Sequence, residues 1–312
     1  LTESPESAWT ITFAPEALDS SSLRRHRALA ERFQELHPDI TVEIKTAPGP
    51  LHRLQEIART ADCFAAFPDS SPEGLQAVLN LDPLRQADSS LDLDDFLPSS
   101  LEPFAYQGQL YALPAELVPL IVEYNKGLFD AAGQPYPTAN WTSDDFLSLA
   151  RAFTAGDGAT KQYGFVSEVY EADVLPLILE RLGARLVNAG TEPPSLAFDA
   201  PATVEALRWY VNLSTVYGIK PLFVSNITDL SGEAFQERWT LINEGRAAMW
   251  TSSSPGWATA YERIGDEIGV VPFPAGRNGS GGYLKIKGYF ISAQARAPQA
   301  CWEWLKFLTG QP

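Results

Sequence analysis

Apolar positions recur along this chain with two different periods, and each change of period marks an element. Trp9-Thr-Ile-Thr-Phe13 alternates as a strand, and Ala14 to Ser20 reads as a loop. Leu23, Ala30, Phe33 and Leu36 then line a helix that stops before Pro38. Ile40, Val42 and Ile44 alternate again as a second strand. The helix between these strands has the length of a crossover, so the two strands are expected to be parallel neighbours with a right-handed link. A further helix from about Leu51 to Thr60 leads to the apolar run Cys63-Phe-Ala-Ala-Phe67. This order predicts an α/β layer, and such sheets bind ligands at the carboxyl ends of their strands.

Tyr111-Ala-Leu-Pro114 ends one extended run and Leu120-Ile-Val-Glu-Tyr124 forms another. Asn125-Lys-Gly-Leu-Phe129 opens a short helix whose end is marked by Ala132-Gly133. Thr142 caps a longer helix with Asp145 three residues on, a variant of the capping box, and Phe146, Leu149 and Phe153 follow at helical spacing. Val204, Leu207 and Val211 predict one buried helix face closed by Gly218 and Pro221, and Phe235 to Asn243 predicts another helix ending at Gly245. Arg246-Ala-Ala-Met-Trp250 reads as a strand emptying into Thr251-Ser-Ser-Ser-Pro-Gly-Trp257. Ile268 to Pro274 reads as a return crossover, Gly281 to Ser292 as a strand region, and Pro298 opens a helix carrying Trp302, Leu305 and Leu308.

With 312 residues, of which 45% are hydrophobic and 20% charged, the chain is long enough to bury two cores. Its formal net charge of −16 repels a phosphate backbone, which argues against nucleic acid as a partner. No stretch approaches the ~18 apolar residues of a membrane span. Cys63 and Cys301 are the two cysteines, with no CxxC or Cys/His cluster, so two buried thiols are expected, with a disulfide between them as the alternative, and no metal. His26, His37 and His52 are expected at the surface or at caps. No GxSxG, HExxH, P-loop or GxGxxG pattern is present. Aromatic residues carry the ligand argument, because the C–H faces of sugars stack on aromatic planes while hydroxyls take polar side chains. Phe13, Phe67, Tyr170 and Trp257 all fall on predicted loops at strand ends. The same loops offer no Arg or Lys, which points to a neutral, hydroxyl-rich ligand, with polyamines as the alternative class.

Leu36-His-Pro-Asp-Ile40, Gly245-Arg-Ala-Ala-Met249 and the helix Trp302-Glu-Trp-Leu-Lys-Phe-Leu-Thr309 stand in an order that resembles family 1 of the extracellular solute-binding proteins of bacterial ABC importers, the maltose-binding-protein-like group. The resemblance implies a two-lobe α/β periplasmic-binding-protein type II fold. Each lobe would hold a mixed sheet flanked by helices, with a ligand cleft between lobes that closes by hinge motion. One lobe is expected over 1–113 plus 273–312 and the other over 114–272, with crossovers near 113–116 and 271–274. Members usually continue beyond the final helix, so this chain is expected either to be a portion of a longer protein or to lack those C-terminal helices. The implied function is binding of a neutral sugar or oligosaccharide for ABC permease subunits, by a monomer without cofactor or catalysis. Its expected place is outside the cytoplasm, in the periplasm or at the cell surface, with a secretion signal removed or a lipid anchor in front.

In the family a Glu in the matching stretch bonds sugar hydroxyls, and that role carries to Glu116. Trp257 corresponds to a stacking ring, with Ser253 and Ser254 beside it. Tyr170 falls in another cleft loop, Asp69 and Ser70 at a polar contact, and Tyr283 on the returning segment. Two alternatives stand beside transport: a ligand sensor within a longer signalling protein, and a glycoside hydrolase. The hydrolase would need a second carboxylate roughly 5 to 9 Å from Glu116, for which Asp69, Glu168 and Asp173 qualify by residue type alone.

Overall fold

The computed structural model describes residues 9–15, 20–46, 53–88, 90–167, 171–188, 190–191, 195–222, 233–252, 267–279 and 284–310. From the amino end, strands and helices alternate as β1 (Trp9–Ala14), α1 (Ser20–Leu36), β2 (Ile40–Ile44), α2 (Leu54–Ala58) and β3 (Cys63–Ala66). Three short helices follow, α3 (Pro72–Ala77), α4 (Asp82–Ala87) and α5 (Pro98–Leu101), then a hairpin of β4 (Ala105–Tyr106) and β5 (Gln109–Leu110) and the longer β6 (Leu113–Pro119). Next come β7 (Ile121–Asn125), α6 (Lys126–Ala131), α7 (Ser143–Phe153), β8 (Tyr163–Val166), α8 (Glu171–Arg181), β9 (Val187–Asn188) and β10 (Ser195–Leu196). The chain closes with α9 (Pro201–Thr215), α10 (Glu233–Asn243), β11 (Ala247–Ser252), β12 (Ile268–Pro272), β13 (Leu284–Ile291) and α11 (Pro298–Leu308).

These elements form two compact units, one of Leu1–Leu117 with Lys285–Pro312 and the other of Val118–Leu284. In the first unit five strands make one sheet in the order β2-β1-β3-β13-β6. β1 pairs in parallel with both β2 and β3, and β13 runs antiparallel to β3. Helices cover this sheet, so Ile11, Thr12, Phe13 and Ala14 are all buried instead of alternating in and out. Trp304 of α11 meets Phe13 edge-on at 5.6 Å and Phe33 of α1 at 5.1 Å, which ties both helices to the sheet. Buried Asp62 holds the start of β3 to β1: its carboxylate accepts from the Thr12 amide at 2.9 Å and hydroxyl at 2.7 Å, and from the Arg296 amide at 3.2 Å.

The second unit has a four-stranded sheet in the order β12-β7-β11-β8. β11 runs parallel to β8 and antiparallel to β7. The capping box at Thr142 and Asp145 is complete, with the Asp145 carboxylate accepting from the Thr142 amide at 2.8 Å and the Thr142 hydroxyl accepting from the Asp145 amide at 3.2 Å. It starts α7 so that Phe146, Ala150 and Phe153 face the core. Gly133, at φ +61°, ends α6 in the left-handed turn that its sequence position suggests. Trp141, Trp302 and Trp304 are buried, as helix-packing tryptophans.

Several expectations need correction. Phe13 does not lie in a loop: it is the fifth residue of β1, wholly buried, with ring contacts to His26, Tyr289 and Trp304. The buried face of α9 is Thr203, Ala206, Tyr210 and Leu213, while Val204 and Val211 are 41% and 52% exposed. His26 lies half-buried within α1 with its ring 5.7 Å from that of Phe13, so it is not a surface group, whereas His37 follows the end of α1 as expected, its ring 4.3 Å from that of Phe33; His52 lies outside the described residues. Ile268 to Pro272 is no crossover, because β12 pairs with β7 along its whole length. Residues just beyond it stay with the second unit, since the Ala275 amide donates to the Trp141 carbonyl at 2.8 Å and the Ala275 carbonyl accepts from the Ser143 amide at 2.9 Å. The chain therefore passes between units at Leu117–Val118 and Leu284–Lys285.

Candidate functional site

In the first unit the parallel register sets Phe13 beside Cys63 and Ala14 beside Phe64, so the carboxyl end of β1 lies against the start of β3 and β3 runs on past it. β13 enters antiparallel beside the carboxyl end of β3, with Gly288 opposite Ala66. Consecutive residues at a strand end then become neighbours of the opening residues of β13. Phe67, 41% exposed, follows β3 directly, and the Lys287 ammonium stands 5.4 Å from the centre of its ring. The same ammonium pairs with Glu116 of β6 at 3.2 Å, the Glu116 side chain being 54% exposed and that of Lys287 only 16%. A ring face, a carboxylate and an ammonium thus share one edge, an arrangement able to stack on a C–H face and to bond vicinal hydroxyls as donor and acceptor together.

Arg25 and Glu116 both act electrostatically on His26 and Tyr289. Burial pushes the His26 imidazole below its ordinary range, against a bond to the Ser22 carbonyl, with Arg25 lowering it further and Glu116 opposing. Burial also pushes the Tyr289 phenol up to about 12. Asp69 is half-buried and its Oδ1 accepts from the Ser71 amide at 2.9 Å, so part of its carboxylate serves the turn before α3; Ser70 beside it is exposed. Lys287 is the group that loop-based reasoning missed. It sits within a strand, and its only signal in the sequence is the Lys285/Lys287 pair at two-residue spacing on one face of an otherwise apolar run.

In the second unit the register Trp250↔Val166 sets the carboxyl ends of parallel β11 and β8 together. Tyr170 follows β8, and Ser253, Ser254 and Trp257 follow β11; all four, with Glu168 and Tyr283, lie outside the described residues. What the described residues do show is how the two chain exits are held. The guanidinium of Arg238, 3% exposed in α10, donates to the Ser167 carbonyl at 3.1 Å and to the Thr251 carbonyl at 2.5 Å. Beneath them the Trp250 indole donates to buried Glu123 of β7 at 2.6 Å. Neither Arg238 nor Glu123 is a residue that sequence spacing singles out, because each acts through a partner distant in the chain. A separate surface cavity of about 380 Å³, lined by Arg181, Arg185, Asn278 and Leu186 among others, opens at the far end of α8 from these exits.

Two α/β units, one of them gathering an exposed ring and a carboxylate–ammonium pair where β3, β13 and β6 adjoin, have the architecture of a small-molecule binding protein. A profile of the bacterial extracellular solute-binding protein family matches residues 26–312, and the chain belongs to that family. The mannitol-binding protein of Pseudomonas aeruginosa is 24% identical over 318 residues, covering 98% of this chain and 70% of that protein. The maltotriose-binding protein of Pyrococcus abyssi is 23% identical over 306 residues, covering 95% of this chain and 61% of that one. Among solved structures, an ABC substrate-binding protein from Listeria monocytogenes in complex with cycloalternan superposes with a TM-score of 0.76 at 21% identity, over 96% of this chain and 74% of its own. An ABC transporter solute-binding protein from Agrobacterium vitis with bound D-mannitol gives 0.70 at 23% identity, over 96% and 72%. These likenesses establish the periplasmic-binding-protein fold, and no helix among the described residues is long and apolar enough to cross a membrane.

Proposed function

We propose that this chain is the extracytoplasmic substrate-binding part of an ABC importer and that it takes a neutral carbohydrate or polyol. The observation that carries this reading is the edge formed by Phe67, Glu116 and Lys287. Its carboxylate and ammonium neutralise one another, which favours an uncharged polyhydroxylated ligand over a polyamine or an anion. The names of the relatives, which bind mannitol and maltotriose, support the same class. Tyr170, Ser253, Trp257 and Tyr283 are the proposed contacts from the second unit, with Asp69 and Ser70 added from the first. Phe13 is withdrawn from this set because it is wholly buried. The proposed mechanism is a population shift, in which a ligand touching residues of both units favours a closed form that permease subunits recognise. No bond is made or broken in this scheme.

The test is a thermal-shift panel of polyols, mono- and oligosaccharides, with polyamines and amino acids as controls, since a ligand bound only by the folded state raises the melting temperature by mass action. A rise confined to sugars or polyols is expected. A rise with polyamines or amino acids alone would replace the proposed ligand class, and no rise with any class would remove the binding role from this chain.

A further inference from the structure

Cys63 and Cys301 are the only two cysteines of the chain, and the fold places both, from β3 and α11, in one buried core cluster. The pairing of β1 with β3 sets Cys63 beside Phe13, and Trp304 lies edge-on to Phe13. Cys301 stands one helical turn before Trp304, so both project from the face of α11 that is turned to the sheet. Both cysteines are 0% exposed, both are free thiols, and the two side chains lie within hydrogen-bonding reach of one another. The Cys63 Sγ also donates to the Thr12 carbonyl at 3.8 Å. Burial pushes the Cys63 thiol well up, which makes it unreactive once folded.

We propose that Cys63 and Cys301 close an intramolecular disulfide when the chain folds in the presence of a disulfide oxidant, such as oxidised glutathione or the active disulfide of a thiol oxidase. The step is thiol–disulfide exchange. Two thiols of this chain give up their hydrogens and become one S–S bond, and one S–S bond of the oxidant is reduced to two thiols. Because both sulfurs are sealed in the finished core, exchange takes place while α11 is still undocked. The bond fastens the carboxyl-terminal helix to an inner strand of the first sheet and encloses the entire second unit in its loop. A loop of that length removes much freedom from the unfolded chain. This inference concerns the first unit's core and stands whether or not the ligand reading does.

The full chain is unfolded in guanidinium chloride with reductant and refolded in parallel in glutathione redox buffer and in reductant alone. Expected from the oxidised arm is a monomer lighter by two hydrogens, whose proteolytic fragments containing Cys63 and Cys301 are joined. Its melting temperature should exceed that of the reduced monomer by on the order of 5 °C. In Cys301→Ala both the mass change and the oxidant-dependent rise should vanish. The reduced wild-type protein is its own folding control, having the same sequence. A native monomer that retains two alkylatable thiols after oxidative refolding, or cross-links found only between chains, would overturn the proposal.

Discussion

At the scale of single residues, the charge that balances Glu116 comes from a strand, and this changes how the edge should respond to mutation. Removing the Lys287 ammonium leaves a 54% exposed carboxylate and a ring without its cation, whereas removing Glu116 leaves a mostly buried ammonium. Glu116→Ala and Lys287→Met should each weaken sugar or polyol binding tenfold or more, about 1.4 kcal/mol, while Phe13→Leu should act on stability alone. Isothermal titration beside thermal melts separates the two effects. A second residue-scale prediction concerns Asp88. Its carboxylate meets Lys306 at 2.6 Å and accepts from the Trp302 indole at 2.9 Å. The Lys306 ammonium, with help from Ser90 and Trp302, holds the Asp88 carboxyl well below the usual range. A depressed carboxyl stabilises the fold above the unfolded value of about 4 and loses that contribution as pH falls toward the folded value. The advantage of wild type over Asp88→Asn in urea midpoint should therefore shrink steadily on acidification from about pH 5 to about pH 2.

Elements set the second scale, where backbones meet closely enough that side-chain volume decides the outcome. A Cβ placed on Gly164 of β8 would come 1.9 Å from the Ala150 carbonyl oxygen of α7, a backbone atom that cannot swing aside. Gly164→Ala should cost about 2 kcal/mol or more of stability, read as a lowered urea midpoint; an unchanged midpoint would mean that α7 does not press on β8 as described. Arg238 acts on this scale too, because one buried guanidinium holds the chain where two strands end. Arg238→Met should leave the Ser167 and Thr251 carbonyls without that donor, at about 1–3 kcal/mol for a charged bond. It should also weaken ligand binding through the loops that follow, with Arg238→Lys recovering part of the affinity. Sequence reading located α1, α7, α10, β1, β2 and β11 because each carries a clear period or cap. It placed the buried face of α9 wrongly, since Val204, Leu207 and Val211 match helical spacing but the helix turns Thr203, Ala206 and Tyr210 inward.

At the scale of the whole molecule, the two units carry separate cores, one around Phe13, Phe33 and Trp304 and the other around Phe129, Phe146 and Phe165. Separate cores joined by two chain crossings predict departure from two-state unfolding, with a calorimetric enthalpy larger than the van't Hoff value. A ligand that contacts both should narrow that gap, and scanning calorimetry with and without the best ligand of the panel measures it. The crossings themselves fall later than the sequence suggests. The expected crossover at Ile268 to Pro274 is not where the chain passes, because full pairing of Ile268 to Pro272 with β7 keeps that strand in the second unit.

What the sequence determined by itself is whatever is written in short-range order: the alternation of strands and helices, the capping box at Thr142, the glycine stop at Gly133, the family pattern, and the absence of local catalytic motifs. Periods, caps and turns are properties of neighbouring residues, so they survive without knowledge of the fold. Only the tertiary structure decided that Phe13 is core, that Lys287 pairs Glu116 under the ring of Phe67, that Arg238 holds two strand exits, and that Cys63 meets Cys301. Each of these joins residues far apart in the chain, and strand register, helix rotation and burial, which no local spacing encodes, bring them into contact.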